Sequence, residues 1–375
     1  MSKLQFKDLA FLDALRGIAA FIVLVGHARW LLWEGFSSGY LLHESSYAFF
    51  EKLSVYFLSL FKFGHQAVMF FFLLSGFVIH LKYSKNIAEF GNSTFSFLPY
   101  IKNRFKRIYP PLLFALLLTF ILDLLGSRLG FLIYQKNTPI DLINNNVNFN
   151  HSFINLLGNL LLFANSKVEI WGSNSPMWSL KLEWWIYLVY PIFIYLNSKS
   201  INKGFAFVLG LLILSFFISD FSFLNTILKS FLFWFIGTLL ADIYTNRIKI
   251  KHSYLSMFIV CIPLVLLFPQ IAINDFVNDL FWVIGFFGLL NTLFYLQNKG
   301  VKINFLRKLK WLGDCSYTIY IIHFPILVFF NGLLLYYYEG LPKSQWFIYL
   351  SVIIIVAISY GLHFLIEKPF APKKK

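Results

Sequence analysis

Ten apolar stretches, each set off from the next by a polar or charged connection, take up most of this chain. They run roughly over 11–32, 66–82, 108–125, 177–196, 204–219, 226–243, 254–269, 276–296, 312–335 and 346–366. Crossing a bilayer takes about 20 predominantly apolar residues. In lipid every backbone N–H and C=O must be satisfied within the protein, so such stretches fold as helices. The pattern predicts an all-α polytopic membrane protein of about ten transmembrane helices.

Three connections are long. Residues 33–65 contain an amphipathic stretch near Phe49–Phe63 suited to lie along a surface. Residues 82–107 are basic, and 126–176 are rich in Asn, with an apolar helix expected at Ser152–Ala164 that is too short to span. No Pro/Ser-rich linker divides the chain, and no internal repeat stands out. A single membrane domain over residues 1–375 is expected.

Composition agrees. The chain is 58% hydrophobic, with a mean hydropathy of +0.69 and 47 Phe, more apolar surface than a soluble protein of 375 residues needs. A net charge of +15 raises the question of nucleic acid, which its distribution answers. With the N-terminus inside, 22 of the 32 Lys and Arg fall on the cytoplasmic side, the pattern by which basic loops set membrane topology. Both termini are then cytoplasmic, and Lys373-Lys374-Lys375 reads as a topology and lipid-surface feature rather than a nucleic-acid arm. The first span is not a cleavable signal, being too long and internally charged. Cys261 and Cys315 sit in or beside spans and support neither a disulfide framework nor a metal site.

The candidate chemistry lies inside the spans. Arg16 and His27 are eleven residues apart on the first, close to three helical turns, so they share a face roughly 16 Å apart along the axis. Asp13 lies on that face one turn earlier. Ionisable groups in a membrane usually face a protein interior or a wet cavity, so the stripe points to a polar passage. His27 is suited to general-base work. Arg104 and Arg107 precede the third span in Asn-Arg104-Phe-Lys-Arg107-Ile-Tyr-Pro110-Pro111. With Pro110 or Pro111 opening the helix, they would form a phosphate site at its N-terminus. Ser75-Gly76 inside the second span allows close approach of a backbone or ligand. In Asn174-Ser-Pro-Met-Trp178-Ser179-Leu-Lys181-Leu-Glu183-Trp-Trp-Ile-Tyr187, the residues Ser179, Glu183 and Tyr187 share a helical face. Ser316, Tyr320 and His323 form a second polar stripe, in a segment that also holds Tyr317 and Pro325.

Together these segments resemble the integral-membrane acyltransferase-3 family, the bacterial O-acyltransferases that decorate surface glycans. Its Arg-x10-His element is matched by Arg16 to His27, its FFxxSGF element by Phe71 to Phe77, and its RxxRIxP element by Arg104 to Pro110. Its WSLxxE-type element is matched by Trp178 to Glu183 with Tyr187 beyond, and its SYxxYxxH element by Ser316 to His323. The resemblance runs the length of the chain, in order. It implies acyl transfer from cytoplasmic acyl-CoA, acetyl-CoA being the commonest donor, to a hydroxyl of a cell-surface or lipid-linked glycan. It also implies a multi-pass protein of the bacterial cytoplasmic membrane, without a metal. The catalytic expectations are His27, Glu183 and Ser75, with the Gly76 backbone helping to hold the thioester or its oxyanion. Arg16, Arg104, Arg107, Tyr317 and Tyr320 are assigned to the donor. Asp13, Trp178, Ser179 and His323 are assigned to the acceptor. The C-terminal SGNH esterase-like domain of some members is not expected here. The alternative is a flippase or exporter of a lipid-linked glycan, in which the polar stripe guides a substrate without covalent chemistry.

Overall fold

A computed structural model describes residues 9–163, 168–220, 222–269, 274–301, 304–338 and 340–370. The Lys373-Lys374-Lys375 tail lies outside the described residues. The helices are α1 (Ala10–Leu32), α2 (Phe49–Ser59), α3 (Gly64–Phe90), α4 (Phe97–Arg128), α5 (Asp141–Asn146), α6 (Phe153–Leu160), α7 (Met177–Lys199) and α8 (Ile201–Phe216). They continue as α9 (Phe223–Tyr244), α10 (His252–Ser256), α11 (Cys261–Leu267), α12 (Asp275–Asn298), α13 (Asn304–Arg307), α14 (Lys310–Asp314), α15 (Ser316–Tyr338) and α16 (Trp346–Ile366). Seven helical stretches are long and apolar enough to cross a membrane, with shorter apolar helices at Ile201–Phe216 and His252–Leu267. The chain is an all-α multi-pass membrane protein.

By its internal contacts the chain forms two compact units. One comprises Met1–Arg16, Val68–Lys102 and Leu182–Lys310; the other comprises Gly17–Ala67, Asn103–Lys181 and Trp311–Lys375.

The faces of α4 show how lipid inverts the usual pattern. Leu113, Leu117, Phe120 and Leu124, spaced i, i+4, i+7, i+11, are exposed. Leu112, Leu116, Thr119 and Asp123, at the same spacing on another face, are buried, and the last two are polar. Hydrocarbon solvates the apolar face, so polar side chains go inward where the protein can pair them. Burial of apolar area does not drive such helices together, and close backbone approach takes its place. A Cβ on Gly76 would lie 2.0 Å from the Trp234 carbonyl oxygen, so α3 and α9 pack at a distance only glycine allows.

Two expectations are corrected. The basic connection at 82–107 is mostly helix: α3 runs on to Phe90 and α4 begins at Phe97. The residues on either side of the short 91–96 link contain few helix breakers, and a Lys85–Glu89 ion pair at i, i+4 supports the extension. It follows that Arg104 and Arg107 do not sit at a helix N-terminus. Pro110 and Pro111 lie inside α4, with about three turns of helix before them. The helix start lies at Phe97 instead, where Pro99 has no N–H and Tyr100 already donates to the Ser96 carbonyl at 3.2 Å. The short helices fit better. α2 exposes Phe49, Phe50, Leu53 and Tyr56 and buries Val55 and Leu58. α6 ends at Leu160, four residues short of the expected end, and its Ser152 cap accepts from the Asn155 amide at 3.4 Å.

Candidate active site

Each unit holds a cluster of polar side chains between its helices. In the unit containing most of α1 and all of α15, His27 Nδ1 lies 2.9 Å from His323 Nε2, with the rings stacked at 5.1 Å. The proton positions follow from the neighbours. His323 Nδ1 faces the carbonyl oxygens of Tyr320 at 2.8 Å and Ile319 at 3.0 Å. A carbonyl can only accept, so Nδ1 carries hydrogen. His323 is fully buried, and no carboxylate among the described residues bonds it. An unpaired charge there would be costly, so the ring is neutral and its Nε2 bare. His27 Nδ1–H therefore donates, leaving His27 Nε2 with its lone pair. His27 itself is only half-buried.

Around this pair the same unit gathers other expected residues. Tyr320 donates its hydroxyl to the Pro176 carbonyl at 3.1 Å and receives Ser179 Oγ at 2.5 Å. Trp178 stacks on His65 at 5.8 Å. Tyr317 donates to the Ile108 carbonyl at 3.4 Å. Arg104 and Arg107 lie three residues apart on α4, both half-buried. Lys181 is buried, and its Nζ has no hydrogen-bond partner among the described residues.

The other unit holds Ser75, Glu183 and Tyr187. Ser75 Oγ donates to Glu183 Oε1 at 2.9 Å and lies 3.2 Å from the Tyr187 hydroxyl, which also donates to Glu183 Oε1. The carboxyl group is half-buried and accepts from two hydroxyl donors, which fix its direction. Asp13 and Arg16 form an ion pair at 3.4 Å. Gly76 takes a different part from the one expected. It sits in mid-helix, where its N–H belongs to the backbone ladder and is not free for an oxyanion, and it serves the packing against Trp234.

The sequence reading passed over a network in this second unit. Asp242 Oδ1 accepts from His80 Nε2 at 3.0 Å, Ser84 Oγ at 2.5 Å and Arg247 at 2.7 Å, and its Oδ2 accepts from Asn197 at 3.2 Å. His80 Nδ1 meets the Tyr190 hydroxyl at 3.0 Å. The available signal was a carboxylate near the end of the sixth apolar stretch, a costly placement that demands partners.

Among known proteins, a family profile described as an acyltransferase domain matches residues 9–364, nearly the whole chain. No curated protein and no solved structure matches it. The profile takes in both histidines of the hydrogen-bonded pair and the serine and carboxylate of the other unit, and with it this chain belongs to the acyltransferase-3 family of membrane acyltransferases.

Proposed function

We propose that the protein moves an acyl group, acetyl in the simplest case, from cytoplasmic acyl-CoA to a hydroxyl of a cell-surface or lipid-linked glycan in a bacterial cytoplasmic membrane. The observation that carries this reading is the histidine pair itself: His323 Nε2 lies 2.9 Å from His27 Nδ1 while carbonyls face His323 Nδ1, and the tautomer inferred from those neighbours leaves His27 Nε2 able to accept a proton. In the proposed reaction the acceptor hydroxyl gives its proton to His27 Nε2 as its oxygen attacks the thioester carbonyl carbon. The tetrahedral oxyanion collapses, the C–S bond breaks, and the CoA thiolate takes the proton from the His27 imidazolium. The acyl group ends as an ester on the acceptor. General-base assistance of this kind contributes roughly 10²–10⁴ in rate.

The other roles follow from chemistry. Arg104 and Arg107 bind the phosphates of the donor, Tyr317 of the same unit is assigned to the donor too, and Arg16 is assigned to it by its charge alone. Guanidinium groups suit phosphate whether or not a helix terminus assists. Glu183, held by Ser75 and Tyr187, is assigned to sugar hydroxyls; Asp13, Trp178 and Ser179 are each assigned to the acceptor. Tyr320, expected to bind donor, and His323, expected to bind acceptor, are read instead as supports: both are buried, and their polar atoms are already engaged.

The test is mass. Purified protein in liposomes, given acyl-CoA and the membrane glycan fraction, should add one acetyl mass per modified hydroxyl and release CoA. A glycan that changes sides of the membrane without changing mass would overturn acyl transfer in favour of an exporter.

A further inference from the structure

α15 carries a proline, Pro325, in mid-helix. Proline has no N–H, so it cannot bond the carbonyl four residues back, which here belongs to Ile321. In a membrane-embedded helix that carbonyl must find another donor. It finds one outside the helix: Asn174 Nδ2 donates to the Ile321 carbonyl at 2.9 Å. The amide orientation is fixed, because a carbonyl can only accept. Asn174 is fully buried, and Ile321 lies between Tyr320, whose carbonyl holds His323 Nδ1, and His323 itself, two residues on.

Asn174 is in turn held from α4. Asp123 accepts from the Ser173 amide at 2.9 Å and the Ser173 hydroxyl at 2.6 Å, and pairs with His151 Nε2 at 3.0 Å. Trp171 Nε1 donates to the Leu116 carbonyl at 3.2 Å, tying the same turn to the same helix. Gly172 has φ +55°, and a Cβ there would lie 2.4 Å from Asp123 Oδ2, so both the turn and its closeness to the carboxylate require glycine. A second tie meets α15 one residue earlier, where the Tyr320 hydroxyl donates to the Pro176 carbonyl. The 171–176 turn is thus a clamp, anchored on α4 and closed on the carbonyl that Pro325 leaves open in α15.

We propose that Asn174 is a positioning residue for the His27–His323 pair: by donating to the carbonyl that Pro325 leaves open, it sets the bend of α15 that presents His323 Nε2 to His27. This rests on the reading of His27 as the base. Asn174 touches neither histidine and acts only through the Ile321 carbonyl.

The geometry makes the test specific. Pro325→Ala restores an N–H at 325 and closes the Ile321 carbonyl within the helix, so Asn174 then has no open carbonyl on α15 to satisfy and keeps only its bond to the Thr119 hydroxyl at 3.3 Å. Wild type, Asn174→Ala, Pro325→Ala and the double variant are compared as purified protein in liposomes. Asn174→Leu, branched at the same carbon with the same number of side-chain heavy atoms and without a donor, replaces the alanine variant if that one does not fold. Asn174→Ala should lower kcat about tenfold, the weight of one hydrogen bond to a buried acceptor, with KM for acyl-CoA within about twofold. In the Pro325→Ala background the same change should cost less than about twofold. Losses that multiply in the double variant, or a rise in KM equal to the fall in kcat, would overturn the proposal. Nitrogen-15 spectra of histidine-labelled protein supply a readout free of turnover. The signals of the bonded pair should be present in wild type and lost in Asn174→Ala. Their persistence in that variant refutes positioning even if activity falls. Their loss, with wild-type turnover also surviving His27→Ala, would uphold positioning and remove the catalytic reading beneath it.

Discussion

His27 Nδ1 and His323 Nε2 are 2.9 Å apart across 296 residues of sequence, and the carbonyls behind His323 decide which way the shared proton points. A histidine held on one nitrogen has the other free for chemistry, and a ring that could turn over would lose that direction.

His27→Ala should abolish transfer while the protein still inserts and folds, a loss of roughly 10²–10⁴ in rate. His323→Ala should cost less, about tenfold, because the base remains but the hydrogen bond that orients it is gone. Steady-state turnover of the purified variants decides both. Near-normal rates in His27→Ala would make the pair structural.

Ser75 donates its hydrogen bond to Glu183, and a carboxylate is a weaker base than the neutral imidazole that usually activates a serine nucleophile. Direct attack by the acceptor is therefore the expected course. Radiolabelled acyl-CoA without acceptor should leave no adduct on the protein, and CoA release should require acceptor. A stoichiometric adduct that disappears in Ser75→Ala would establish an acyl-enzyme instead.

Replacing Arg104 and Arg107 together with Gln should raise KM for acyl-CoA at least about tenfold, since each charge-assisted contact is worth roughly 1.5–3 kcal/mol. Affinity for the acceptor should stay unchanged. Calorimetry with CoA reads the donor side alone, and unaltered CoA binding would return these arginines to a topological role.

Asp242→Ala should destabilise the protein by about 3 kcal/mol or more, because it strands the buried His80 and Arg247 side chains that share the carboxylate. The measurement is the thermal midpoint of the purified protein in detergent. A midpoint equal to wild type would show that the network relaxes without cost.

Much of this protein was legible from its residues alone. The all-α, multi-pass class follows from apolar run length, since hydrocarbon leaves the backbone no other way to satisfy itself; the number does not, for about ten spans were expected and seven helical stretches among the described residues are long and apolar enough to cross. The family followed from five short elements in order, and Arg16, His27, Ser75, Glu183 and His323 could be singled out because polar groups in such runs are costly and need a reason. The pairings could not be read. Periodicity places a residue on a face of its own helix and says nothing of which helix that face meets, so His27 with His323 and Ser75 with Glu183 emerged only once the helices packed. The helix boundaries at Phe90 and Phe97 were missed because hydropathy marks where a helix leaves lipid, not where it stops being a helix. Pro325 marks a missing helical hydrogen bond in α15. That Asn174 replaces it depends on a turn folded back from a distant loop, and contacts between segments so far apart in sequence are set by tertiary packing.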